Sequence, residues 1–210
     1  MKLALFCLLA GVLPGWSETR GAMFAPITLY MQFQQAPPEG VLQALQDEVE
    51  SIMAPIGLRF EWRNLAQTQG HEVSAELAVV TFKGRCDIAG LMTHSRFEGA
   101  LGWTHVSDGQ ILPFTDISCD RIRELVQAGL LTFRIEDREA KYGRALGRVL
   151  AHELYHIFAN TARHGSVGVA KESYSVQDLL SDDFQFQAKE SRMLQSNRPR
   201  PAVEVSAGSM

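Results

Sequence analysis

The segment His152-Glu153-Leu154-Tyr155-His156 contains the residue types best suited to do chemistry. Two histidines four apart share one face of an α-helix, where both imidazoles can reach one ion at about 2.0–2.1 Å. Glu153 is beside the first of them and can act as general base toward a water on that ion. Short patterns of this kind also arise by chance, so the surroundings matter. Leu146, Leu150, Leu154 and Ile157 form a separate apolar stripe, which leaves His152 and His156 on another face. Gly143, Gly147 and Ala151 make a row of small residues on which a second element can lie closely.

A catalytic zinc site takes a third protein ligand and keeps one position open. His164 lies eight residues beyond His156. An unbroken helix would carry it about 12 Å away, so the chain has to turn back. Asn160 is the best place, because asparagine tolerates the left-handed conformation that ends helices, and Gly165 and Gly168 add slack. Glu172, Asp178, Asp182 and Asp183 are carboxylate alternatives for the third ligand. His71, His94 and His105 scatter over loops and strands and read as structural. Arg144 and Arg148, on the row leading to His152, read as a solvated face that could border a cleft.

These residues resemble the zincin metallopeptidases, and more closely their metzincin branch with its His-Glu-x-x-His-x-x-Gly-x-x-His pattern. His152, Glu153 and His156 match it, whereas Ala159 replaces the bend glycine and Ala162 stands where the third histidine falls. The resemblance implies that His164 takes that role through a loop two residues longer. It further implies a bound Zn2+, hydrolysis of a peptide or protein substrate, and an exposed strand that pairs with extended substrate, for which residues 100–106 are the candidate. Metzincins also carry a methionine turn beneath the zinc, yet no methionine lies between 165 and 192. Glu172-Ser173-Tyr174-Ser175 occupies the comparable stretch, and Tyr174 is a candidate donor to the developing oxyanion.

The elements that must position this segment follow from periodicity. Residues 27–33 alternate as a first strand, and Val41, Leu42, Leu45, Val49 and Ile52 mark a helix from Pro37-Pro38 to Met53, ended by Pro55 and Gly57. Residues 58–63 alternate as a second strand, and the apolar run 77–82 suits a strand covered on both faces. Residues 100–106 and 110–114 are further strands, the latter kept at an edge or ended by Pro113. A helix capped by Asp116 or Ser118 runs to about Gln127 with Gly129 as its stop, a long helix spans about 136–159, and a last one about 181–195. The fold class is α+β, zincin-like: a mixed sheet, an active-site helix and a helical C-terminal part.

Composition narrows the setting. Of 210 residues 46% are hydrophobic and 21% charged, which excludes wholesale disorder. The net charge of −4 offers no basic excess for nucleic acid. Met1-Lys2, the eleven-residue apolar run Leu3 to Leu13 and the Pro14–Ser17 exit match a signal peptide over 1–17, too short for a stable membrane anchor. The domain then covers 18–196, and 197–210, rich in Pro, Ala, Gly and Ser, reads as a disordered tail. Export would remove Cys7 and leave Cys86 and Cys119 as one disulfide.

Overall fold

The computed structural model describes residues 26–94 and 99–197; the leader and the chain from 198 lie outside them. Strand β1 (Ile27–Gln35) places Ile27, Leu29 and Met31 in the core, while Thr28 and Tyr30 on its other face meet Ser74. Helix α1 (Glu39–Met53) follows Pro38 and gives way to a 3-10 turn that closes on Gly57 in the left-handed region. It connects β1 to β2 (Phe60–Asn64), and β3 (Leu77–Arg85) then pairs on the other side of β1, both parallel to it. Strands β4 (Gly102–Ser107) and β5 (Gln110–Ser118) complete a five-stranded mixed sheet of order β2-β1-β3-β5-β4, with only β4 antiparallel. β4 is therefore an edge strand, next to the helix that carries the histidines.

Two strand expectations change. β3 buries Ala78, Val80 and Phe82 on one face, but its other face, with Leu77, Val79 and Thr81, is only half-buried. Pro113 does not end a strand, because β5 runs through it to Ser118. The register between β4 and β5 is irregular just there, and pairing of β5 with β3 begins only at Phe114, so no ladder bond needs the absent proline N–H. Asp108 and Gly109, both with positive φ, close the β4–β5 hairpin.

Helix α2 (Cys119–Leu130) leads through a 3-10 turn to α3 (Arg138–Phe158). α2 runs past Gly129, which is no stop: a Cβ there would meet Leu180 and Val176 at 2.7 and 2.9 Å. The small-residue row of α3 receives α1, since a Cβ on Gly143 would lie 2.4 Å from the Val41 carbonyl oxygen and one on Gly147 2.7 Å from that of Leu45. This close crossing sets the spacing between α1 and α3.

Cys86 and Cys119 form a disulfide, tying the end of β3 to the start of α2. Both are buried. Closing a separation of 33 residues stabilises the fold by roughly 3–4 kcal/mol in the chain-entropy view. Exported protein should weigh two hydrogens less before reduction than after it, and two alkylatable thiols in the native protein would contradict this. Among the described residues no helix is long and apolar enough to cross a membrane.

Arg144 and Arg148 are not a solvated face. Arg148 is fully buried, and both guanidinium groups pair with Glu48 of α1, at 2.6 Å for Arg148 and 3.0 Å for Arg144. Arg148 also donates to the carbonyls of Asp178 and Ser181, each at 2.7 Å, and lies over the Phe184 ring. These bonds help explain why the helix expected over 181–195 begins only at Ala188. The Ser181 carbonyl accepts from both arginines and the Gln185 carbonyl from Val169, so residues 181–187 run as a non-helical strap. Two short helices flank it, α4 (Val176–Leu180), with its Ser175–Asp178 capping box, and α5 (Ala188–Ser196). Arg148→Ala leaves Glu48 and two carbonyls short of a buried donor and should cost about 3–5 kcal/mol. Urea unfolding measures it, and an unchanged midpoint would contradict the role given to this arginine.

Candidate metal centre

The second half of α3 points His152 and His156 to one side, one turn apart, and both are buried. Helix α3 ends at Phe158, and Asn160, with φ of 46°, turns the chain back as its residue type allows. Gly165 then donates to the Ala170 carbonyl at 2.7 Å, folding the loop over the helix end. His164 returns to the pair, its ring stacked on His152 at 5.2 Å and edge-on to His156 at 4.8 Å. Donor atoms of the three histidines all lie within 4.8 Å of one another.

The hydrogen bonds set the tautomers. Nδ1 of His152 donates to the Val169 carbonyl at 2.8 Å, and Nδ1 of His156 to the Thr161 carbonyl at 2.7 Å. Each Nε2 is then left with a lone pair, and the two Nε2 atoms face each other at 3.0 Å. Two lone pairs at that separation repel unless a cation sits with them. Protonation does not supply it: burial, then the neighbouring His156, pushes His152 down to about 4, and burial also lowers His156. Neutral imidazoles with carbonyl-anchored outer nitrogens are the form in which histidine binds metal, so the donor set fits a divalent ion such as zinc.

Glu153 is buried beside them, and that burial pushes its carboxyl up to about 7 against the opposing hydrogen bond from Thr104. The Thr104 hydroxyl on β4 donates to Oε2 at 2.8 Å and lies 3.2 Å from the Glu153 carbonyl oxygen. Gly102, two residues earlier, leaves room for the same side chain. Both fall within the strand expected over 100–106, but no role at Glu153 is expected of either, because the Thr104 contact joins positions 49 apart and no local pattern announces it. Tyr174 reaches the centre from the other side. Its hydroxyl donates to the Val169 carbonyl and lies 2.9 Å from Nδ1 of His152, with burial raising its pKa well above the usual value.

These groups line a cleft of about 380 Å³ whose other wall is Leu101, Trp103, Val106 and Ile111. Glu172 stands exposed at its lining, outside the three-histidine group. Asp178 serves the capping box and Lys171, and Asp182 pairs with Lys141 and Arg144. His105 bonds Asp116 at 2.9 Å, and the His94 carbonyl accepts from Gln127; neither histidine, nor His71, joins the centre.

No protein-family model matches the chain, and no curated protein matches it. Among solved structures it is similar to the crystal structure of archaemetzincin from Methanopyrus kandleri. Identity is 12%, the match covers 85% of this chain and 97% of that one, and the TM-score is 0.47.

Proposed function

We propose that this chain is an exported, zinc-dependent peptidase. The observation that carries the reading is the pair of Nε2 atoms facing each other at 3.0 Å, with both Nδ1 atoms on backbone carbonyls, a third histidine in reach and a buried glutamate next to them in a cleft. His152, His156 and His164 would hold the metal. Bound there, zinc supplies Lewis-acid charge that makes water acidic near neutral pH and polarises a scissile carbonyl.

The chain's own groups do the rest. Glu153 takes the proton of the attacking water as its oxygen bonds to the carbonyl carbon, then delivers that proton to the amine as the C–N bond breaks. A buried carboxyl at the cleft, raised by that burial in the metal-free protein, is placed for both halves of this transfer. Tyr174 would have to leave the Val169 carbonyl to reach an oxyanion, so we assign it to orienting His152. Among the described residues no strand pairs with the outer side of the edge strand β4, along the cleft, and an extended peptide can add there as a further strand. Export accords with the leader and with a disulfide that an oxidising compartment would preserve.

Metal analysis tests the first half of this reading. Protein purified without added zinc should carry about one zinc per chain, and metal-free protein that takes up none would overturn it. Zinc bound tightly with no cleavage of any peptide would leave a non-catalytic zinc-binding protein.

A further inference from the structure

We infer that Thr104 is a positioning residue for the hydrolysis: its hydroxyl ties Oε2 of Glu153 and leaves Oε1 as the atom that takes the proton. The inference rests on the peptidase reading above. Its basis is the asymmetry of the carboxylate. Oε2 accepts from the Thr104 hydroxyl at 2.8 Å and the Thr104 backbone also acts on the carboxylate, whereas among the described residues no side-chain donor bonds Oε1. Oε1 instead lies against Gly102, where a Cβ would come within 3.0 Å of it and 3.1 Å of the Glu153 Cγ. One strand position thus holds one oxygen, and a missing side chain two residues away gives the other its room.

The clasp is itself held in place. Thr104 pairs with Thr115 of β5, and the Thr115 hydroxyl donates to the Trp103 carbonyl at 3.1 Å. The Ile117 side chain closes the far side of Gly102 at 3.1 Å from the Cβ position. A glutamate side chain has three rotatable torsions, and a free one would spend much of its time with neither oxygen toward the reacting water. Anchoring Oε2 removes that freedom without consuming the lone pairs of Oε1. Thr104 spends its hydroxyl on Glu153 rather than on substrate, so its loss falls on turnover and not on substrate binding.

Steady-state kinetics on zinc-loaded protein decide the matter. Thr104→Val keeps the shape and removes the donor, and should lower kcat roughly 10–100-fold with KM within about twofold. Thr104→Ser restores the donor and should recover kcat to within about threefold of wild type. Gly102→Ala crowds Oε1 and should lower kcat with zinc content unchanged. All three variants should bind zinc as the wild type does in chelator competition. A Thr104→Val kcat within about twofold of wild type, a serine variant as slow as the valine one, or weakened zinc binding in Thr104→Val would overturn the inference. Those outcomes leave the peptidase reading standing. A zinc-loaded wild type that hydrolyses nothing fails that reading instead and takes this inference with it.

Discussion

Glu153→Ala should keep about one zinc per chain while losing nearly all hydrolysis, a fall of roughly 10²–10⁴-fold in kcat. The expectation comes from placement. Glu153 is buried and lines the cleft beside the three histidines, yet it stands outside their donor group. Removing its carboxylate takes away the proton acceptor and leaves the Nε2 atoms and their carbonyl anchors untouched. Thr104 loses its partner, but a hydroxyl in the cleft can turn to water at small cost. Metal content and kcat measured on the same preparation check both halves. Equal activity in the variant would end the mechanism described here, and loss of zinc would make Glu153 a ligand.

His164→Ala should weaken zinc binding by orders of magnitude, whereas Glu172→Ala should leave it within about tenfold. His164 is the exposed member of the trio and comes from the returning loop rather than from α3. Its ring nevertheless meets both others, stacked on His152 and edge-on to His156. Glu172 shares the cleft but not the donor group. A carboxylate ligand would also cancel part of the charge that acidifies water, which argues for a third neutral nitrogen at a hydrolytic site. Competition with a graded chelator measures both variants. If Glu172→Ala loses zinc and His164→Ala keeps it, the third ligand is the glutamate and the loop to His164 is incidental.

Local signals carried far along this chain, and they stop where contacts become non-local. The spacing of His152 and His156 defines one helix face because helical geometry leaves no other option, and Asn160 bends the chain where its residue type allows. The small row at Gly143 and Gly147 announces a close neighbour but not which one; α1 fills that place. The strands expected over 100–106 and 110–114 are present, and Asp108-Gly109 joins them as a hairpin. Arg148 shows the limit. Its helical row looks polar and exposed, yet Glu48, 100 residues away, and two backbone carbonyls bury it. The same arginine takes carbonyls of the 178–181 stretch, so good helix-forming composition there does not give one continuous helix. Within the site, the carbonyls of Val169 and Thr161 and the hydroxyl of Thr104 set the state of the three central side chains. Backbone carbonyls carry no sequence signature, and a threonine in a strand is ordinary.

Cleavage of a broad peptide library tests the central claim most directly, using wild-type protein as purified, after chelation, and after zinc is restored. The account predicts cleavage at first, loss of it on chelation and recovery with about one equivalent of zinc. Cleavage that survives complete removal of metal, or zinc-loaded protein that cuts nothing in the library, would contradict it.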